Sequence, residues 1–402
     1  MRTSSVTMEG SRNGLALMSG ERVHVGIDTH KEDYRVHVWS EQRQEAVAAW
    51  VQPPDASVLV KRLGPVKAQV ARVVYEAGPT GYGLCRELRQ AGFAADVIAP
   101  SRTPKSTSKA AKSDRLDARK LARYCAKGLL QPVAVPSVEE EGDRQVVRMR
   151  EVTMLSSRRA KQQIKSLLLQ HGLGQPRGCG GDWSGRWVAA LRAMPLSAQP
   201  RVSLDLLLDE LAHLRGALLV ATRAVRSLAK QPRYRAHGAA LQSVPGVGPI
   251  TAMTFLTELI HPERFDEPRE VTAMLGLAPL VYGSGQSVRQ GPLMKTGNNR
   301  LRTALIEAAW RWVAKDPWAG AKFAQLQRRT ASRKKGIVAM ARRLGIIPWR
   351  IRLTGRPYQP KAPKLPDQHA GSQPRLPDAP AGKRKGACAK RSARPASVQT
   401  SG

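Results

Sequence analysis

Four carboxylates in this 402-residue chain have the types and spacing to do chemistry: Asp28, Glu76, Asp114 and Asp117. Asp28 closes the apolar run Val23-His-Val-Gly-Ile, and Glu76 closes Ala68 to Tyr75. Asp114 and Asp117 are three apart, so on a helix they share one face. Carboxylates brought together from two strand ends and one helix offer only oxygen donors, a set that suits Mg²⁺ or Mn²⁺. Two such ions about 4 Å apart can hold the attacking and leaving oxygens of a phosphodiester during in-line displacement. Singly, each residue has a plainer reading. Asp28 before Thr29 serves equally as a turn, and Glu76 as the flank of a loop. Asp114 serves as a helix cap and Asp117 as a first-turn charge. The joint order, strand-end Asp, strand-end Glu and paired helical Asp, favours a metal site.

The elements that must position them follow from hydrophobic periodicity. Strands are predicted at Arg22–Asp28, Tyr34–Trp39, Glu45–Val51, Ala68–Tyr75 and Ala94–Ile98. Helices are predicted at Ser57–Leu63, Tyr82–Ala91 and, around Asp114 and Asp117, to about Lys127. The order βββ-α-β-α-β-α implies an α/β domain over residues 21–135, a mixed sheet with helices on its faces. A leader of about 20 residues precedes it, and a basic, Ser-rich loop (Ser101–Lys112) interrupts it. From 139 to 230 apolar residues recur at helical spacing in two long stretches around a Gly/Trp-rich connection (Gly172–Gly185). That region reads as an antiparallel hairpin, as a coiled-coil arm, or as one side of an ordinary helical core. Residues 231–353 form a mostly α domain. From 354 to 402 the chain is rich in Pro, Lys and Arg and is expected to be disordered.

The C-terminal domain carries a second set of candidates. Leu241-Gln-Ser-Val-Pro-Gly246-Val-Gly248-Pro-Ile250 reads as helix, glycine turn, helix. In a helix-hairpin-helix-like element the glycines let backbone N–H groups approach phosphates; a tight interhelical turn explains the same residues. Further on, Ser284-Gly285 and Gly291-Pro-Leu-Met-Lys295-Thr-Gly297-Asn298-Asn-Arg300-Leu-Arg302 make a flexible cationic segment entering a helix. Its backbone donors and arginines can cradle a phosphate, and a serine hydroxyl can attack phosphorus. By composition alone the same stretch is a Gly/Ser loop.

The charge narrows the partners. The chain has 66 Lys+Arg against 31 Asp+Glu, a formal charge of +35, which points to a nucleic acid. Hydrophobic residues make up 42%, enough for real cores. No apolar run is long enough to span a bilayer, and the N-terminus lacks a sustained apolar segment, so a membrane or secreted protein is not expected. Cys85, Cys125, Cys179 and Cys388 have no CxxC spacing; a reducing cytoplasm is the plain reading.

Three blocks, Val25-Gly-Ile-Asp28-Thr-His-Lys31, Tyr75-Glu76-Ala-Gly-Pro-Thr-Gly81 and Lys112-Ser-Asp114-Arg-Leu-Asp117-Ala118, resemble the motif blocks of the IS110/IS1111 family of DEDD transposases, in the family's order. The segment Pro279…Ser284-Gly285…Gly291…Lys295-x-Gly297-Asn298…Leu301-Arg302 resembles that family's C-terminal signature, and Lys335–Leu344 its closing helix. Pro292-Leu293 departs from the small residue and Ile usual there.

The resemblance implies an RNase H-like N-terminal domain similar to the Holliday-junction resolvase RuvC. It implies DNA transposition and recombination, with Asp28, Glu76, Asp114 and Asp117 holding Mg²⁺ or Mn²⁺. Ser284 maps onto the proposed nucleophile; Ser287 lacks the following glycine. Gly246, Gly248, Gly285, Lys295, Asn298, Arg300 and Arg302 are the expected nucleic-acid contacts. The implied partners are donor and target DNA, a structured guide RNA from the element, and further copies of the chain as a dimer or tetramer. A RuvC-like endonuclease using metal-activated water shares the carboxylates but needs no Ser284. A packaging protein accounts for the charge but not for the carboxylates.

Overall fold

The computed structural model describes residues 15–100, 103, 114–284, 287–294 and 296–360. Gly285, Lys295, most of the basic loop after residue 100, residues 1–14 and the tail from 361 lie outside these. The described residues all fall in one compact unit.

Its N-terminal part is a five-stranded sheet: β1 (Val23–Thr29), β2 (Tyr34–Ser40), β3 (Ala46–Gln52), β4 (Val70–Glu76) and β5 (Ala95–Ile98). The strand order is β3-β2-β1-β4-β5. β1, β2 and β3 are antiparallel neighbours, while β1–β4 and β4–β5 are parallel. β1 is central and covered on both faces, which is why it reads as a nearly unbroken apolar run. On one face Val23, Val25, Ile27, Val73 and Tyr75 pack with α1 (Ala56–Leu63) and α2 (Gly83–Gln90). On the other face lies α3 (Asp114–Ala126), whose Leu121 and Cys125 meet Val74 and Ile98. Three antiparallel strands continued by two parallel ones, with helices on both faces, is the RNase H-like arrangement expected from the sequence.

Residues 15–20, expected in the leader, are partly ordered on this domain: Leu15 and Leu17 pack against its core, and Gln69 Nε2 donates to the Met18 carbonyl at 2.7 Å. Their apolar side chains gain more by burial than the short segment loses in entropy.

Two long helices follow, α4 (Val138–Gln170) and α6 (Ala198–Ala229), packed together as a hairpin. α4 starts with a capping box between Ser137 and Glu140. At the far end α5 (Gly185–Arg192) inserts Trp187 and Leu191 among Ile164, Leu168, Leu204 and Leu208. At the near end Val147 and Val225 join the C-terminal core. The hairpin is therefore built within one chain.

The C-terminal part is helical: α7 (Pro232–Gln242), α8 (Pro249–Glu258), α9 (Pro268–Met274), α10 (Asn299–Lys315), α11 (Pro317–Thr330) and α12 (Arg333–Thr354). Its core gathers Phe255, Leu275, Leu305, Trp312, Met340 and Leu344. The stretch expected as a flexible glycine-rich loop instead contains a two-stranded hairpin, β6 (Pro279–Ser284) and β7 (Ser287–Leu293). Local ladder pairing satisfies its backbone, which glycine content alone did not reveal. The first residues of the expected tail are also fixed: Tyr358 donates its hydroxyl to Asp316 Oδ2 and its N–H to Ser243 Oγ, each at 2.8 Å.

Candidate functional site

The site begins with the register of two parallel strands. Ile27 of β1 sits beside Tyr75 of β4, so Asp28 and Glu76 follow side by side at adjoining strand ends. Gly26 pairs with Val74, and strand residues two apart share a face. Asp28 and Glu76 thus lie on the α3 face. Glu76 Oε1 accepts a hydrogen bond from Thr103 Oγ1 at 3.0 Å, and His30 Nε2 stands 3.2 Å from Asp28 Oδ2. The Thr29 and Thr80 hydroxyls, 3.1 Å apart, tie the turn after β1 to the loop after β4. Thr103, His30 and Thr80 were not picked out from the sequence. His30 and Thr80 fall within the motif blocks, and Thr103 lies in the basic loop after residue 100.

α3 is set on the sheet by contacts that run down β1. His24 Nδ1 lies 3.3 Å from Cys125 Sγ, and His24 Nε2 lies 2.5 Å from Glu41 Oε1. Burial pushes the Cys125 thiol up to about 12, so it stays protonated. Two residues on, a Cβ at Gly26 would run into the Ala118 carbonyl and lie 2.5 Å from the Ala122 amide. Helix backbone and strand backbone touch here, which only glycine permits. The pairs Cys125 with His24 and Ala118/Ala122 with Gly26 run in opposite directions along the two elements. The start of α3, where Asp114 and Asp117 sit, therefore heads toward the Asp28–Glu76 end. The side chains of Asp114 and Asp117 lie outside the described structure.

Donor chemistry supports a hard cation. Asp28 and Glu76 offer oxygen only, at neighbouring strand ends, and α3 begins with two more carboxylate residues. Among the described residues no group of three or more His, Cys, Asp or Glu forms a metal cluster. The Asp114 and Asp117 side chains are not among the described ones.

Candidates in the C-terminal part have mixed placements. Ser284 ends β6 and pairs with Ser287 across the hairpin; the side chains of both are outside the described structure. Gly246 has φ +93°, and a Cβ there would stand 2.6 Å from the Ala308 carbonyl, so it lets the α7–α8 turn press on α10. Gly248 precedes α8 with open space around its α-carbon. Asn298 caps α10, accepting from the Arg300 and Leu301 amides at 3.0 and 3.1 Å. Its amide donates to Glu258 Oε2 at 2.7 Å. Arg300 Nε pairs with Glu151 at 2.5 Å, and Arg302 donates to the Thr296 carbonyl at 3.1 Å. Three residues expected to face nucleic acid thus also hold the entry to α10.

The sequence reading missed Glu258. Its side chain is only 2% exposed, and Arg148 of α4 grips it at 2.6 and 2.8 Å. Burial pushes its pKa up, but hydrogen bonds and charge from Arg148, with the Asn298 amide, outweigh that and hold it below the ordinary carboxylate value. This network joins α4, α8 and α10. It borders a cavity of about 440 Å³ reaching from Ala99, just past β5, to the Thr296–Asn298 segment, with Arg144 and Arg264 also on its wall.

Comparison with known proteins fits these features. A profile described as "Transposase IS116/IS110/IS902 family" matches residues 238–324, and a DEDD transposase profile of the IS110 type matches 25–172. A putative transposase of Sinorhizobium fredii is 31% identical over 301 residues, covering 74% of this chain and 73% of its own length. The transposase for insertion sequence element IS1111A of Coxiella burnetii is 26% identical over 242 residues, covering 60% and 65%. Thermus thermophilus RuvC, solved with a Holliday junction substrate, covers 28% of this chain and 99% of its own at 14% identity, with a TM-score of 0.19. An RNase H-like sheet with strand-end carboxylates, joined to a second matched domain, defines a transposase of the DEDD type. The chain belongs to the IS116/IS110/IS902 family. No helix among the described residues is long and apolar enough to cross a membrane.

Proposed function

We propose that this transposase cuts and rejoins DNA at specific sites by phosphoryl transfer, using Ser284 as nucleophile and Asp28, Glu76, Asp114 and Asp117 as the holders of a divalent cation, Mg²⁺ or Mn²⁺. The observation that carries the reading is the pairing of Asp28 and Glu76 at adjoining strand ends, beneath a helix that begins with Asp114. A bound cation would polarise the phosphate and neutralise charge on its oxygens. Ser284 Oγ forms the new bond to phosphorus, the bond from phosphorus to the 3′-oxygen breaks, the serine's proton leaves to solvent, and the departing 3′-oxygen takes up a proton from solvent. The departing strand keeps a free 3′-hydroxyl, and the other stays on the protein as a phosphoserine ester. Reversal with a new 3′-hydroxyl rejoins DNA without an external energy source.

The formal charge of +35 supports contact with several nucleic-acid segments at once. Charge supplies affinity rather than choice of sequence. A structured RNA from the element, pairing with donor and target DNA, supplies that choice in this reading. In this reading Gly246, Gly248, Gly285, Lys295, Asn298, Arg300 and Arg302 are the expected nucleic-acid contacts, and several copies of the chain assemble around the DNA.

The test is a denaturing gel on element-end DNA. Wild type is expected to give a covalent protein–DNA adduct, and Ser284→Ala none, with DNA binding kept. Free 5′-phosphate ends, no adduct, and unchanged cleavage by Ser284→Ala would instead establish the metal-activated-water nuclease. Cleavage that survives RNase treatment and RNA-free reconstitution would remove the guide RNA.

A further inference from the structure

Of the 8 Trp, 7 Tyr and 4 Phe side chains, all among the described residues, one alone is exposed: Tyr282, at 58%. It lies in β6, two positions before Ser284. Its ring is not loose. The Cδ2–Cε2 edge rests on the α-carbon of Gly291 in β7, so that a Cβ there would meet Cε2 and stand 3.2 Å from Cδ2. Gly291 does not have a positive φ, so its backbone makes no demand for glycine. What the missing side chain provides is a seat for the ring. The hairpin thus holds an aromatic ring against one strand and leaves the rest of it to water, an arrangement with a hydrophobic cost unless something covers it.

We propose that Tyr282 is a stacking platform for a DNA base next to the broken phosphodiester. This rests on the proposed role of Ser284. Tyr282 is separated from Ser284 by a single residue of the same strand, so the ring lies within a few ångströms of backbone from the proposed nucleophile's position. Exchange of strands at a break requires bases beside it to leave one partner before finding another, and an unpaired base exposes a π-face. Aromatic rings accept any base by that face, which suits a position that must tolerate different targets. The occupant favoured here is DNA rather than RNA, because the ring stands two residues from the group that takes the DNA phosphate. Tyr282 is a positioning residue: it fixes the base, and so the adjoining phosphate, without touching the reacting atoms.

The full-length protein is titrated, at one salt concentration, with a DNA duplex carrying a single unpaired 2-aminopurine, with its fully paired counterpart, and with RNA of the same sequence. Wild type and Tyr282→Phe are expected to quench 2-aminopurine on the unpaired DNA. Tyr282→Leu and Gly291→Val, which remove or displace the ring, are expected to lose the quenching. Both should bind the unpaired DNA roughly 5- to 150-fold more weakly, the span of one stacked base. On paired duplex all four should bind alike. Quenching by Tyr282→Leu equal to wild type, or an equal loss on paired duplex, would overturn the proposal. An effect seen with RNA alone would also overturn it, by giving the ring to another ligand. Because quenching is read without cleavage, loss of the Ser284 adduct with quenching intact would sink the nucleophile and leave base binding standing.

Discussion

Gly26→Ala tests how the catalytic face is put together. The added Cβ would lie 2.5 Å from the Ala122 amide, whereas ordinary van der Waals contact begins at 3.4 Å. The obstacle is helix backbone, not a side chain that can swing aside, so α3 must retreat by at least about 0.9 Å (3.4 − 2.5) to clear the Ala122 amide, and further to clear the Ala118 carbonyl. Overpacking of this kind costs ~1–3 kcal/mol, and a rigid obstacle argues for the upper end. The same retreat carries Asp114 and Asp117 away from Asp28 and Glu76. Metal–oxygen bonds tolerate errors of only ~0.2 Å, and a misplacement near 1 Å costs on the order of 100-fold in rate. The expected result is a lowered melting temperature, weakened Mn²⁺ binding by calorimetry, and DNA cleavage down ~100-fold, with DNA binding retained. A Gly26→Ala protein that melts, binds Mn²⁺ and cleaves like wild type would refute both the contact and the placement of α3 over the carboxylates.

Asp28→Asn and Glu76→Gln should each lower cleavage by ~100-fold or more, as chelation with EDTA should, while leaving salt-dependent DNA affinity unchanged because that comes from Lys and Arg; persistent cleavage would exclude the carboxylates. Glu258→Gln should destabilise the protein by ~3 kcal/mol, the lower end for a broken buried pair because the Arg148 head reaches water, as read by chemical denaturation. The Glu258 carboxyl is held below its ordinary value of 4.5, so its contribution is complete above that value and is lost as pH falls through the lower folded value. Stability of wild type should therefore drop more steeply below pH 4.5 than that of Glu258→Gln, and parallel curves would contradict the pairing. Trp187→Ala removes a fully buried ring whose centroid lies 4.4 Å from that of Trp183. It should cost ~3–5 kcal/mol locally, with new protease cuts near residues 172–196 while Mn²⁺ binding is unchanged.

The chain order of the N-terminal elements was readable because each has a strong local signature. β1 is an apolar run ending in Asp28, α1 and α2 start within a residue of their expected positions, and α3 contains Asp114 and Asp117 and ends one residue before Lys127. The placement of Asp28 and Glu76 at neighbouring strand ends was legible for the same reason: each closes an apolar run. The β6–β7 hairpin was hidden because Gly283 and Gly291 speak for a loop when counted alone, and the reason for Gly291 is a ring nine positions away. Asn298, Arg300 and Arg302 looked like free phosphate ligands because cap and ion-pair partners such as Glu258 and Glu151 lie far off in sequence.

The sequence by itself determined the excess of positive charge and the order of the N-terminal elements, and it offered the four carboxylates and Ser284 as candidates, since these depend on residue type and on periods of two or 3.6. Only the tertiary structure decided that Asp28 stands beside Glu76 and that α3 rides on Gly26. It alone showed that Glu258 locks two helices to α4 and that Tyr282 is the aromatic side chain left to solvent. Those facts depend on strand register and on contacts between residues 40 to 110 positions apart, and local propensity holds no record of which distant backbone will come to lie against a given glycine.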